Sequence, residues 1–330
     1  MRKGAVLSAL LVTLAVTACA DQSTSSSTVP VVVPDSGTTP DADVPIDGGG
    51  PTRRPGFIRV ATFNLHRYFD TVCDSGQCGA GAYEDVMSQD MFDAVTAKLA
   101  AGIAKIDPDI ISVEEMETQH CLDALVAKLA ALGKTYPIAH LGETGAAGSV
   151  DVAILARGTL TEIKTHRDVP IVEADGTMTT FTRELLEVRM TFGAQSVIMF
   201  GAHFRSQVMD DPARRLAEAK AAQAIVAKTS TDLPTALVML GGDLNDKPGS
   251  APINALEAGG ALLRVASDLP VDAQGTYIFQ GTDSALDHIF VGAPQKARYA
   301  PMSATVYRDD PRAGYAGSDH AALAADFSIQ

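Results

Sequence analysis

Positions 236–250 read "ALVMLGGDLNDKPGS": an apolar run ends in a glycine pair and then in Asp243, Asn245 and Asp246. Carboxylate and amide oxygens at the end of a buried run can hold a hard cation, orient a water or receive a phosphate oxygen; the same residues also turn the chain. The arrangement recurs along the sequence. Asn64 follows "FIRVATF", Glu114 and Glu115 follow "DIISV", His203 follows "SVIMFGA", and Asp319 and His320 stand immediately before "AALAADFSI". Asp287 lies inside the apolar run "ALDHIFV". Singly, most of these read as turn residues, a core histidine, a helix cap or a solvated edge. Asp287 resists that reading, because a carboxylate buried in an apolar strand needs a partner. Together, six runs each deliver a metal-capable or proton-transferring group at one end, and strand ends in a mixed sheet can share an edge. Asp243 and Asn245 are two apart, so a continuing pleat points both side chains the same way.

Those runs are the elements that must position the groups. Strands are expected at 57–63, 109–113, 150–155, 185–192, 196–202, 236–242, 285–291 and 321–329, each a short apolar segment bounded by turn formers. The last residues of 185–192 and the first of 196–202 are separated by "GAQ", a hairpin signal that argues against a purely parallel sheet. A helix is expected from Gln89 to Ile106, capped by Ser88, with Phe92, Val95, Leu99, Ile103 and Ile106 along one face. A second follows Asp211, with Pro212 in its first turn and Leu216, Ala219, Ala222 and Val226 on one side. Strands and helices interleaved in this way predict a mixed α/β domain, and no repeat or composition break divides 57–330.

The chain has 330 residues, is 46% hydrophobic and carries a formal charge of −14, so it can bury a large core and presents no clustered basic face. That weakens a reading as a non-specific nucleic-acid binder, although a bound divalent cation would alter the local potential. The first residues, "MRKGAVLSALLVTLAVTACA", have a positive start and an apolar stretch too short to span a bilayer comfortably. They predict a signal segment over 1–18. "VTAC" resembles a bacterial lipobox, which makes Cys19 the lipidated residue; an ordinary secretory signal cut nearby is the alternative. Residues 19–56, rich in Ser, Thr, Pro, Asp and Gly, predict a flexible tether. The protein is thus expected to be exported, as a cell-envelope lipoprotein or in secreted form, touching the membrane only through its anchor. Cys73, Cys78 and Cys121 remain, and in an exported chain a Cys73–Cys78 bridge is the simplest pairing. A metal site on His120 and Cys121 lacks the spacing of a four-ligand set.

The segments "ATFNLH", "PDIISVEEME", "GAHFRS", "GGDLND", "ALDHIFV" and "GSDHAAL", in this order, resemble the motifs of the endonuclease/exonuclease/phosphatase superfamily of metal-dependent phosphoesterases. "AHFRSQ" with "DPARRLAEAKA", and "YIFQGTDSALDHIFV", look like bacterial extracellular nucleases, and "FTRELLEV" resembles the Arg-bearing segment of pancreatic-type deoxyribonucleases. The resemblance implies a four-layer sandwich of two packed mixed β-sheets flanked by helices. It implies Mg²⁺, with Mn²⁺ or Ca²⁺ as alternatives, held by Glu115 with Asn64 beside it and Asp319 nearby. It makes His320 the general base or a phosphate contact, oriented by Asp287. Asp243 and Asn245 then position water and phosphate, His203 is a general acid or phosphate ligand, and Arg183 clamps a phosphate oxygen. Glu114 stands where relatives often carry Gln and is expected only to support the site, as are His66 and Arg67. Ala202 and His288 depart from the residues usual at their positions and bear on the substrate.

The expected function is metal-dependent phosphodiester hydrolysis by a monomer, with DNA or RNA as substrate. A sphingomyelinase-like phospholipid hydrolase or a phosphomonoesterase is the alternative. The chain has no Trp and few aromatics, which counts against a membrane-contact loop. A catalytically silent binding domain would have lost a central group, and none is missing.

Overall fold

Ser88 caps helix α1 (Gln89–Ile106) as the sequence predicts, its hydroxyl accepting from the Met91 amide at 3.3 Å. The helix stops at Asp107, which adopts the left-handed conformation and returns its N–H to the Ile103 carbonyl. The structure, a computed structural model, describes residues 54–208, 210–279 and 281–330. The expected signal segment, Cys19 and the expected tether up to residue 53 lie outside the described residues.

The first strands are β1 (Phe57–Tyr68), β2 (Ile110–Met116), β3 (Ile138–Gly142) and β4 (Asp151–Ala156), with α2 (Gln119–Ala131) between β2 and β3. There follow β5 (Thr159–Thr165), a small hairpin of β6 (Ile171–Val172) and β7 (Met178–Thr179), then β8 (Leu186–Phe192) and β9 (Gln195–His203). Helix α3 (Pro212–Asp232) leads to β10 (Leu237–Asp243), α4 (Ala251–Glu257) and β11 (Leu262–Arg264). A second hairpin, β12 (Tyr277–Phe279) and β13 (Thr282–Ser284), precedes β14 (Asp287–Gly292), β15 (Thr305–Tyr307) and β16 (Ala322–Ser328).

Two six-stranded sheets result, ordered β15-β16-β1-β2-β4-β3 and β11-β14-β10-β9-β8-β5. Both are mixed: β1 runs parallel to β2 and β9 parallel to β10, while the other neighbours are antiparallel. The hairpin expected at "GAQ" is the β8–β9 pair, with Phe192 opposite Gln195. Alternation along the strands divides the core. Ile58 and Val60 of β1 pack between the sheets with Met199, Met239 and Ile289, whereas Phe63 of β1 and Val113 of β2 pack outward against α1 and α2. On the far side Phe200, Val238 and Leu240 meet α3 and α4. The layers are therefore helices, sheet, sheet, helices.

Strand β1 continues past the expected end at Phe63, and its pairing with β2 shifts register between Asn64 and Tyr68, where His66 and Arg67 have positive φ. Close approach between strands explains the glycine pair of "LGGD". A Cβ on Gly242 would lie 1.8 Å from the Ala202 carbonyl oxygen of the neighbouring strand. A Cβ on Gly201 would lie 2.8 Å from the Ser112 hydroxyl of the opposite sheet. The absent side chain of Gly201 leaves room between the sheets beside Ser112, whose hydroxyl donates to the buried Glu114 described below.

Candidate active site

In the second sheet His203, Asp243 and Asp287 sit side by side in register, at the ends of β9 and β10 and the start of β14. In the first sheet Asn64 lies opposite Glu114, next to Glu115. The two strand-end groups meet across the sandwich: Asn64 donates from Nδ2 to Asp243 Oδ2 at 3.0 Å. His320, just before β16, faces Asp287, and its Nδ1 lies 2.8 Å from Asp287 Oδ2. Ser318 fixes that approach, since its hydroxyl donates to the Asn64 carbonyl at 2.7 Å and accepts from the His320 amide at 3.0 Å.

Asp243 is the hub. Its Oδ2 lies 3.6 Å from His203 Nε2 and 3.9 Å from His320 Nε2. Glu115 Oε1 is 4.0 Å from His203 Nε2, so Glu115, His203 and Asp243 surround one point, and Asp243, Asp287 and His320 surround another. Glu115 has φ 63, a strained value for a residue with a Cβ, and its Oε2 accepts the Arg67 amide at 2.7 Å. That turn directs the carboxylate toward the site rather than along the strand face. Arg183 lies on the segment before β8, donating to the carbonyls of Val150 (3.1 Å) and Phe204 (3.4 Å), with its charge acting on His203.

The structure adds local detail at three of the expected positions. The pleat does not persist from Asp243 to Asn245: Asn245 has φ 53, its N–H returns to Asp243 Oδ1 at 2.9 Å, and its side-chain amide donates to the Phe204 carbonyl at 3.1 Å. Asp246 does more than turn the chain, since it pairs with Arg215 at 3.0 Å. Asp319 pairs with His66 at 2.7 Å, a contact that the sequence did not signal, and stands outside both groups of converging donor atoms.

Glu114 is fully buried between the sheets, accepting from Ser112 Oγ at 2.6 Å and from Thr62 Oγ1 at 3.1 Å. Burial pushes its carboxyl well above the usual carboxylate range, with Asp287 and Asp243 adding to the effect. Tyr277 was also missed: its ring centroid lies 4.6 Å from that of His320, and the two residues form a backbone bridge. Thr276 supports the same corner by accepting the Leu286 and Asp287 amides. A tyrosine beside the "SDH" motif through strand pairing leaves no local pattern to read.

The electrostatics follow from burial among carboxylates. Burial opposes the charged form of His320, yet Asp287, Asp243 and Asp319 hold its pKa up to about 10. Burial, reinforced by Asp287, pushes Asp243 up to about 7. His203 is driven well below the usual histidine value by burial and by the positive charges of Arg183 and His320. Two buried polar atoms, Asp287 Oδ1 and His203 Nδ1, have no protein partner. The carboxylates of Glu115 and Asp243, converging with His203, fit a hard divalent cation, which takes carboxylate, amide and water oxygens; Asn64 stands beside them, its Nδ2 on Asp243 and its Oδ1 accepting the His66 amide.

His288, the residue after Asp287, points away from this group and donates from Nε2 to the Asp246 carbonyl at 2.9 Å. Burial brings its pKa down to about 4. The unfolded chain binds this proton near 6.5 and the fold only near 4, so stability is full above 6.5 and is lost as pH falls between these values. Relative to His288→Gln, the wild-type protein is expected to lose on the order of 3 kcal/mol between pH 6.5 and 4. Urea unfolding of both proteins across that range measures it, and parallel pH profiles would rule it out.

Comparison with known proteins places these observations in a family. The sequence pattern of the Endonuclease/Exonuclease/phosphatase family matches residues 59–311, a span that stops short of Ser318–His320. TDP2 from Caenorhabditis elegans superposes with a TM-score of 0.57 at 16% identity, over 82% of this chain and 74% of that one. D. rerio TDP2 complexed with single strand DNA product gives a TM-score of 0.56 at 17% identity, over 82% of this chain and 99% of that one. The human Nocturnin catalytic domain with bound sulfate anion gives 0.56 at 16% identity, over 83% and 95%. None of the curated proteins matches the sequence. The structural likeness establishes the fold, and the sequence match over most of the chain establishes more: this chain belongs to the Endonuclease/Exonuclease/phosphatase family.

Proposed function

We propose that this protein is a divalent-cation-dependent phosphodiesterase that cleaves nucleic acid. One observation carries the reading: the Asp287–His320 pair directs Nε2 of His320 at Asp243, with His203 and Glu115 closing the same space. Glu115, with Asn64 beside it, would hold a divalent cation, which would supply charge neutralisation on phosphoryl oxygens. The chain's own groups account for the rest. Asp287 accepts from Nδ1 and leaves Nε2 of His320 as the reactive face. His320 takes a proton from water once the charges of Asp243 and Asp319 are offset; while it keeps its proton it contacts a phosphate oxygen. His203, whose burial beside Arg183 and His320 disfavours its charged form, donates a hydrogen bond to the leaving side. Arg183, anchored by two carbonyls beside His203, contributes fixed positive charge toward a phosphate.

Aromatic rings favour nucleic acid over phospholipid. Tyr277 stands against His320, and Tyr83, 52% exposed, carries the Arg67 guanidinium over its ring at 4.5 Å. Flat ring faces beside a phosphodiester site suit unstacked bases. The similarity of fold to a TDP2 that holds a single-strand DNA product is consistent with such a substrate. The test is a panel of plasmid DNA, RNA oligonucleotide, a choline phospholipid and a phosphomonoester, with Mg²⁺, Mn²⁺ or Ca²⁺ and with chelator. Cation-dependent cleavage of DNA or RNA is expected. Turnover of the phospholipid or the monoester without nucleic-acid cleavage would overturn the substrate assignment.

A further inference from the structure

The segment after β1 carries acidic side chains that the candidate active site does not use. Asp70, Glu84 and Glu117 are each buried, and Asp74 lies at the exposed edge beside the Cys73–Cys78 disulfide. One carboxylate oxygen from each of Asp74, Glu84 and Glu117 lies within 4.8 Å of the other two. The charges that act on Glu117 are those of Asp70, Glu84 and Asp74, all of one sign. Glu84 accepts the amides of Asp74 (2.5 Å) and Ser75 (2.8 Å), and Glu117 Oε2 accepts the Asp70 amide at 2.9 Å. Asp70 spends its own oxygens on the Val72 amide (2.7 Å) and the Thr118 hydroxyl (3.2 Å). Glu117 Oε1 is different: it is buried, has no hydrogen-bond partner, and belongs to a residue 2% exposed.

An unpartnered carboxylate oxygen among like charges, withdrawn from water, is unfavourable unless a proton or a cation completes it. We propose that Asp74, Glu84 and Glu117 hold a calcium ion that ties the 69–88 segment to the end of β2. Oxygen donors from an irregular loop segment suit the variable, high coordination of Ca²⁺ better than the strict octahedron of Mg²⁺. Cys121 lies within reach of Asp70 and Glu117, but its sulfur is buried in the apolar core and receives the Thr118 hydroxyl at 3.5 Å. A thiol so placed stays protonated, which disfavours zinc-type coordination. The proposed ion has a route to the active site: Glu84 follows Tyr83, whose carbonyl accepts the Arg67 guanidinium, and the Arg67 amide donates to Glu115. Calcium would thus order the segment that steadies a catalytic carboxylate.

The test reads binding and melting rather than activity, so it stands apart from the phosphodiesterase assignment. Full-length protein, stripped by chelator and kept in excess MgCl₂, is titrated with CaCl₂ and followed by calorimetry and thermal melting. Calcium is expected to raise the melting temperature equally in the wild type and in Glu115→Gln. It should have no effect on Glu84→Gln, and the exposed change Asp74→Asn, which leaves the buried carboxyls intact, should weaken Ca²⁺ binding by about tenfold or more. Three results would overturn the proposal: no calcium response in the wild type, a response lost in Glu115→Gln but kept in Asp74→Asn, or a response that follows Zn²⁺ and disappears in Cys121→Ser.

Discussion

His320→Asn is expected to lower phosphodiester turnover by about 10²- to 10⁴-fold, the usual contribution of a positioned acid–base group, while leaving the protein folded. The asparagine amide can stand near the position of Nδ1 and keep a donor on Asp287, while nothing replaces Nε2. His320→Ala removes both functions. It should lose the same activity and also unfold more easily by about 3 kcal/mol or more, because Asp287, 1% exposed, then keeps a buried charge without its partner. Steady-state kinetics on both variants, with urea unfolding alongside, separates chemistry from stability. A folded His320→Asn enzyme with unchanged kcat would remove His320 from the mechanism, whatever the alanine variant does.

Glu115→Gln should act through the cation. Glu115 is the partly exposed carboxylate of the group, and Oε1 is aimed at the space it shares with His203 and Asp243. Replacing the carboxylate by an amide keeps the shape and an oxygen but removes the charge that a hard cation most needs. The divalent-ion concentration for half-maximal activity is expected to rise by about tenfold or more, and excess Mg²⁺ should restore part of the rate. Wild-type enzyme should be silenced by chelator and recover with added metal. An unaltered metal titration in Glu115→Gln would move the cation site elsewhere. The positive φ at Glu115 explains why this residue, and not its neighbour Glu114, reaches the site.

Much of the molecule was readable from local pattern. Helix α1 begins and ends where Ser88 and the spacing of Phe92, Leu99 and Ile103 place it, because capping and amphipathic period are local properties. The β8–β9 hairpin likewise follows from two apolar runs and a short turn. Strand-end chemistry was visible because apolar runs broken by Asn, Glu, His or Asp stand out wherever they occur. Strand limits were less legible: β1 extends to Tyr68 because a bulge at His66 and Arg67 lets pairing resume beyond Asn64. The fate of Asn245 was misread for the same reason. A left-handed residue ends the pleat, and no alternation rule anticipates it.

The sequence alone determined which side chains are available, which sit at strand ends, and that their kinds suit phosphoester chemistry. It also determined the layered α/β class, since the apolar periods of helices and strands are written into adjacent residues. Only the tertiary structure decided which groups meet. Asn64 reaches Asp243 across 179 positions, and His320 reaches Asp287 across 33, through the packing of two sheets. That packing sent Asp319 to His66, sealed Glu114 between Thr62 and Ser112, set Tyr277 against His320, and collected Glu84 and Glu117 away from any counter-charge in their own group. Contacts of this kind depend on register and burial summed over the whole sandwich, and burial is also what moves their pKa values. Neither quantity belongs to any short stretch of chain, and "GGDLND" shows why: Gly242 admits the neighbouring strand, Gly201 on that strand admits the opposite sheet, and only then does Asp243 have anything to meet.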